Sequence, residues 1–364
     1  MIVKEVTELL EELAPLELAE DFDNVGLLVG DANAEVTGIL VTLDTLENVV
    51  DEAISKSCNL IVSFHPIIFT GLKKLTGKTY VERVVLKAIQ NNIAIYSMHT
   101  ALDNAPEGVN HRICEQLGIK DHQPLIPQKG VLKKLTTYVP REDAEKLSRS
   151  LFDAGAGSLG KYSDCSFKVD GTGSFTPGEG SSPAKGAVGN LHYEEETQLN
   201  ITFTVDKESA VLRALFENHP YEEVAYEVYA LENSNQHSGM GRIGMLDKPV
   251  SEEAFLKLLK ERMQAEVVRH SELLDKDIQK VAVLGGSGAF AIKAAKAAEA
   301  DVFVTADIKY HQFYEAEGKL LLTDIGHYET EQFTKNLLVD YLTKKIPNFA
   351  VCLSESRTNP IKYY

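Results

Sequence analysis

The chain has 364 residues, with Lys+Arg 37 against Asp+Glu 54 and a formal net charge of −17 at pH 7. At roughly 150 residues per domain this length predicts two or three domains, and the excess of acid opposes non-specific attraction to phosphate backbones and anionic membranes, so nucleic acid is not an expected partner. Hydrophobic residues make up 44% and charged residues 25%, a composition that excludes long disorder and collagen-like repeats.

Cys58, Cys114, Cys165 and Cys352 lie far apart with no CxxC pair, the pattern of reduced thiols rather than of a disulfide framework. The opening segment places apolar residues at helical spacing among acids and lacks the basic start and apolar run of a signal peptide. No stretch approaches the roughly 20 apolar residues of a membrane span. These features predict a cytoplasmic protein without a membrane partner.

From Asp23 the pattern alternates short β-rich runs with helical ones. DNVGLLVGD and TGILVTLD read as strands, LENVVDEAISKS as a helix with Thr45 to cap it, NLIVSFHP as a buried strand, YVERVVLKAIQNN as a helix, IAIYSMHT as a strand and GVNHRICEQLG as a helix closed by Gly118. Such alternation predicts an open, mostly parallel sheet covered on both faces.

The pattern breaks at LIPQKG. KKLTTYVP then reads as a strand, REDAEKLSRSLFDAG as a helix, KYSDCSFKVDGTGSFTP as a strand with a DG turn, and GEGSSPAKG as a flexible loop. QLNITFTVD, SAVLRALFEN and VAYEVYAL follow as strand, helix and strand. The order β-α-β-β-α-β predicts a ferredoxin-like inserted domain, with the polar, glycine-rich ENSNQHSGMGRIG as its exit. Beyond it FLKLLKERMQ, FAIKAAKAAEA, IKYHQFYEAEG and the long TEQFTKNLLVDYLTKKI read as helices, interleaved with the strands IQKVAVLGG, DVFVTAD and LLLTDIG. The outer segments thus read as two halves of one α/β domain, or two similar lobes. The expected boundaries are 1–126, 127–240 and 241–364.

Ligands of open α/β sheets bind beyond the carboxyl ends of the strands. Those ends carry Asp44, His65, His99 and Asp103 in the first half, and Gly285 to Gly288, Asp307, His327 and Glu331 in the second. His327 and Glu331 are four residues apart and share one face of a helix, a spacing that suits ligands to one metal or to neighbouring metals. Imidazole with carboxylate, and no cysteine, suits Zn, Mn or Fe, and such a centre supports hydrolysis. Spacing alone leaves open the alternative of separate side chains making unrelated hydrogen bonds.

The segments DNVGLLVG, LIVSFHPIIF, SMHTALDNAPEGVN, VAVLGGSG, TADIKYHQ and DIGHYETE resemble the NIF3-like family in its longer bacterial form, which carries a PII/CutA-like insert. The resemblance covers nearly the whole chain. It implies two similar α/β lobes facing a dinuclear metal cleft, a homohexamer ring, and a metal-dependent hydrolase of a small anionic or nucleotide-like substrate. Many members carry the label GTP cyclohydrolase 1 type 2 homologue. A non-catalytic regulatory or metal-handling protein, sensing a small-molecule ligand through its insert, is the alternative.

By motif, the implied metal ligands are His65, Asp103, His327 and Glu331, holding divalent ions, two per chain. Many relatives have two adjacent histidines in the first motif where this chain has Phe64 before His65. That departure implies one metal held more weakly or completed by water, with His99 as a substitute ligand or a partner of one. Asp44, Asp307, Lys309 and His311 are further candidates, as general base, as orienting partners or, for Lys309, as a contact to an anionic substrate; each also reads as a helix cap or a solvated residue. GGSGA admits a phosphate cradle, a nucleophile elbow on Ser287 or a plain tight turn. His219 with Glu223 admits a metal pair or a structural role.

Overall fold

The amphipathic opening segment forms α1 (Val3–Leu13), with Val3, Val6, Leu10 and Leu13 buried; the computed structural model describes residues 1–364. Next, β1 (Gly26–Val29), β2 (Ile39–Thr42), β3 (Leu60–Ser63) and β4 (Ala94–Ser97) enclose α2 (Glu47–Ser55) and α3 (Tyr80–Gln90). Every residue of β2, β3 and β4 is buried, as parallel strands covered on both faces are. These three run parallel, β1 pairs antiparallel with β4, and the late strand Val351–Leu353 joins β2 in parallel. α4 (His99–Asn104), α5 (Val109–Leu117) and β5 (Lys120–Gln128) follow. α5 ends at Gly118, whose φ of 72° is the left-handed cap that a glycine supplies without strain.

Residues Gln128–Gln236 form one of two compact units. In it β6 (Leu132–Pro140), α6 (Ala144–Asp153), β7 (Ser166–Phe175), β8 (His192–Thr204), α7 (Glu208–Asn218) and β9 (Tyr226–Ala230) follow in turn. The sheet order is β7-β8-β6-β9, antiparallel throughout. Leu135 and Val139, with Leu199, Ile201 and Phe203, pack against Leu147 and Leu151 of α6 and Val211 and Leu215 of α7.

The other unit joins Met1–Pro127 to His237–Tyr364. Its second part holds β10 (Asn235–Ser251), α8 (Glu252–Arg262), β11 (Arg269–His270), β12 (Asp277–Ser287), α9 (Ile292–Ala297), β13 (Val302–Ala306), β14 (Leu321–Asp324), α10 (His327–Glu331), α11 (Thr334–Lys345) and β15 (Val351–Leu353). Here too three strands run parallel, β12, β13 and β14, with β11 antiparallel beyond β14 and β10 antiparallel to β12. Alternate residues of the two sheets, among them Ile39, Val41 and Val62 of the first and Val281, Val283 and Val304 of the second, share one core. The opposite faces pack Leu40, Ile61 and Ile95 under α2 and α3, and Phe303 and Leu322 beside α9.

Five local expectations are corrected. Thr45 does not cap α2: Leu46 is the capping residue with no side-chain bond, and the Thr45 hydroxyl is buried without a partner. Asp170-Gly171 is no turn, because both residues continue the β7 ladder opposite Thr197 and Glu196. The polar exit segment is the long strand β10, its glycines standing where neighbouring strands approach: a Cβ on Gly244 would meet the Lys120 carbonyl at 2.6 Å. Residues Tyr310–Ala316 wind as a 3-10 helix, and the long final helix is split into α10 and α11.

After β15 the chain is pinned by Glu52 of α2, whose carboxylate accepts from Ser354 Oγ at 2.7 Å, Glu355 N at 2.8 Å and Ser356 N at 3.1 Å. Burial pushes this carboxyl up, but those donors and Lys56 outweigh it and hold it down at about 2, against an ordinary 4.5. A depressed folded-state value stabilises above the ordinary one, so the anchorage is complete above pH 4.5 and is lost as pH falls towards 2. Glu52→Ala at neutral pH is expected to raise hydrogen exchange at the Glu355 and Ser356 amides; unchanged protection would contradict the pinning. Phe303→Ala, at a fully buried site, is expected to cost about 3–5 kcal/mol in chemical denaturation.

Candidate metal centre

Parallel strands deliver the site from their carboxyl ends. His65 follows β3 by two residues, Asp44 follows β2, His99 opens α4 directly after β4, Asp307 follows β13, and His327 and Glu331 stand on α10 after β14. The turns are fixed by their own hydrogen bonds: His65 N donates to Leu43 O at 2.9 Å, Thr42 Oγ to Asp44 O at 2.9 Å, and Ser63 Oγ to His65 O at 2.9 Å.

Three of the expected ligands converge. One ligand atom from each of His65, His327 and Glu331 lies within 4.8 Å of the others. His65 Nε2 is 3.1 Å and His327 Nε2 3.2 Å from Glu331 Oε2, and the two Nε2 atoms are 3.4 Å apart. The remaining nitrogen of each ring is occupied: His65 Nδ1 meets Asp44 Oδ1 at 2.8 Å, and His327 Nδ1 meets Asp307 Oδ2 at 2.7 Å. A carboxylate only accepts, so each Nδ1 carries its hydrogen, and a ring in its neutral form turns its Nε2 lone pair inward. Three acceptors then face a common point, and Glu331 Oε2 is buried without a hydrogen-bond partner. Either protons or a cation must stand among them.

Electrostatics express the same demand. Burial opposes a charge on either ring, yet Glu331 and Asp44 push His65 up, and Asp307 and Glu331 push His327 up. Burial likewise raises Glu331, but the two imidazoles overturn it and hold the carboxyl down. Asp307 is lowered chiefly by its bond from His327. The Glu331 side chain is 4% exposed while that of His327 is 35% exposed, so the centre is walled on one side and open to a ligand on the other.

Asp103 lies outside the converging trio. Its Oδ1 is buried with no hydrogen-bond partner, and burial together with Glu331 raises its carboxyl well above the usual range. His99 is turned elsewhere: Nδ1 pairs with Asp23 Oδ1 at 2.8 Å, and its ring stands edge-on to His65 with centroids 5.4 Å apart. Asp23, although burial pushes it up, is held at about 2 by bonds from His99 and Thr100. His99 has a φ of 25° and Asp307 one of 56°, both in the left-handed region where strain gathers at functional sites. Phe64 is fully buried and packs on both His65 and His99, with centroids 4.9 and 5.6 Å away. Lys309 and His311 are exposed on the 3-10 helix and its approach, with no hydrogen bond or ion pair to the trio.

GGSGA resolves as structural support for the centre. Gly285 N donates to Asn110 Oδ1 at 3.0 Å and Gly286 N to Thr330 Oγ1 at 2.9 Å. A Cβ on Gly286, which has a φ of 67°, would overlap Glu331 Oε1 and meet His327 Cε1 at 3.3 Å. Ser287 Oγ donates to Asp307 Oδ2, so the aspartate lies between serine and histidine and no imidazole takes the hydroxyl's hydrogen bond, contrary to the order of a nucleophile elbow's triad. His219 spends Nε2 on Tyr138 O at 3.0 Å and Nδ1 on Tyr221 N at 3.2 Å, a structural role. Sequence reading missed Thr358, whose hydroxyl donates to Asp44 Oδ2 at 2.5 Å from 314 residues away, and Asn110 and Asp23, which touch the site only through the fold.

The family description Duf34/NIF3 (NGG1p interacting factor 3) matches residues 1–360. The chain belongs to this family. It is 36% identical over 370 aligned residues to the GTP cyclohydrolase 1 type 2 homolog of Bacillus subtilis (strain 168), with 99% of this chain and 98% of that one covered. A protein of the same name from Halalkalibacterium halodurans is 37% identical over 98% of each chain. The crystal structure of a Bacillus cereus protein related to NIF3 superposes with a TM-score of 0.86 at 36% identity, covering 100% of this chain and 99% of that one. The mixed α/β fold with several sheets is thus that of NIF3 structures, and no helix is long and apolar enough to cross a membrane.

Gly286→Ala is expected to lose about 1–2 kcal/mol of folding stability from backbone strain alone and to displace Glu331. A denaturation midpoint equal to the parent's would contradict the close approach.

Proposed function

We propose that this NIF3 family member is a cytoplasmic divalent-metal protein acting as a metal-dependent hydrolase on a small anionic or nucleotide-like substrate. The observation that carries the reading is the convergence of two clamped imidazoles on one oxygen of a buried carboxylate, at 3.1 and 3.2 Å, with the two Nε2 atoms 3.4 Å apart. The donor set suits Zn, Mn or Fe. Asp44, Asp103, Asp307 and Glu331 bring four carboxylates around two imidazoles, a charge that two divalent ions balance. His65, His327 and Glu331 would hold one ion, and Asp103 would complete a second with water where Phe64 leaves no ligand.

When bound, a divalent ion supplies Lewis acidity and brings the pKa of a water towards neutrality. Asp44 and Asp307 fix the tautomer of each ring and raise its basicity through Nδ1–H. Lys309, exposed beyond Asp307, is the group available to an anionic substrate. The names of the relatives make nucleotides the first substrates to test. Within Gln128–Gln236 the β-α-β-β-α-β order supports a ferredoxin-like, PII/CutA-like insert, and the family form supports a homohexamer.

Purified protein is expected to hold close to stoichiometric metal by elemental analysis, with loss in His327→Ala and Glu331→Ala and a fall from two ions to one in Asp103→Asn. Retention should weaken as pH falls, since each Nε2 must be free of its proton to bind. Wild type and variants equally empty after metal-supplemented expression would overturn the reading. A panel of nucleotides and pterin precursors, with Glu331→Ala as control, then tests hydrolysis.

A further inference from the structure

The insert carries a second site, built on the face of its sheet away from the helices. Leu199, Ile201 and Phe203 of β8 pack towards α6 and α7, so the alternate residues Glu196 and Gln198 stand on the opposite face. The register sets Gly171 beside Glu196 there, and Val169 and Tyr138 beside Gln198. Over this face lies a cavity of about 630 Å³, walled by Tyr138, Phe175 and Tyr221 and floored by Gly171, Gly173 and Glu196. That volume suits a small metabolite.

Glu196 sets the chemistry. The residue is 9% exposed, yet no Lys, Arg or His nitrogen lies within 4.0 Å of its carboxylate. Tyr221 OH donates to Oε1 at 2.7 Å, and Oε2 receives no donor. A Cβ on Gly173 would overlap this carboxylate, so a glycine is what lets it lie over β7. The neighbouring cations are engaged elsewhere, Lys185 with Glu142 at 2.8 Å and Arg141 with Asp170 at 3.1 Å. Glu222 and Glu223 add negative charge at the rim. Phe175 and Tyr221, edge to face with centroids 5.7 Å apart, give two aromatic walls. A carboxylate whose second oxygen opens into the cavity without a protein donor is free to take a cationic one, and aromatic faces attract the same cation.

We propose that this cavity binds a small organic cation, an amine or amidinium on a planar frame, with its charged head on Glu196 Oε2 and its frame against the aromatic walls. The site lies wholly within residues 128–236 and stands independently of the metal centre.

The test titrates the full chain with benzamidine and with its neutral counterpart benzamide, read by calorimetry and by amide shifts over residues 169–175 and 196–198. Benzamidine is expected to bind at least about tenfold more tightly than benzamide. Glu196→Gln, which keeps an acceptor for Tyr221, should abolish that preference. Gly171→Val should block both ligands without loss of melting temperature, because an added Cβ there meets nothing within 4 Å. Equal binding of the two ligands, no saturable binding at millimolar benzamidine, or an unaltered preference in Glu196→Gln would each overturn the proposal. Metal content measured on the same samples keeps its failure separate from that of the metal reading.

Discussion

Two aspartate–histidine clamps govern the centre. Asp44 holds His65 and Asp307 holds His327, each through Nδ1, and both rings are thereby made to present Nε2 to Glu331. Neither clamp stands alone. Asp44 takes a second bond from Thr358, and Asp307 a second from Ser287. The cost of bringing three acceptors together is borne by the fold, because the elements that carry them also build the shared core of the two sheets. Such an arrangement is favourable only when positive charge completes it.

The scaffold around the clamps follows from that constraint. Gly286 removes a side chain so that α10 can approach β12, and Thr330 and Asn110 satisfy the amides exposed by the tight turn. The segment after β15, tied to Glu52, carries Thr358 to Asp44. The tail is therefore a positioning element for His65 although it lies nearly three hundred residues away in sequence. Phe64 completes the arrangement from the core side, where a second imidazole would have to displace a fully buried ring.

Much of this was legible in the sequence because strand ends are legible. The β2, β3, β13 and β14 runs are largely apolar, and the polar residues just beyond their carboxyl ends reach the cleft, which is how His65, His327, Glu331, Asp44 and Asp307 could be named. The i, i+4 spacing of His327 and Glu331 survived as geometry, on a helix of five residues. What escaped was of two kinds. Thr358, Asn110 and Asp23 act across long sequence separations that no local pattern encodes. The Asp170-Gly171 pair and the glycine-rich β10 carry turn chemistry but lie in ladders, because neighbouring strands supply the hydrogen bonds that local propensity would place in a turn. Lys309 and His311 fall at a strand end by the same rule that found Asp307, yet they face solvent.

The most direct measurement is the nitrogen environment of the two histidines in protein expressed with added zinc. X-ray absorption at the metal edge, paired with imidazole nitrogen NMR, is expected to show an ion with nitrogen ligands at about 2.0–2.1 Å, with Nδ1 protonated and Nε2 free of hydrogen in both rings. Finding both rings doubly protonated and no ion bound at neutral pH would contradict the account, since protons and not a metal would then supply the missing charge.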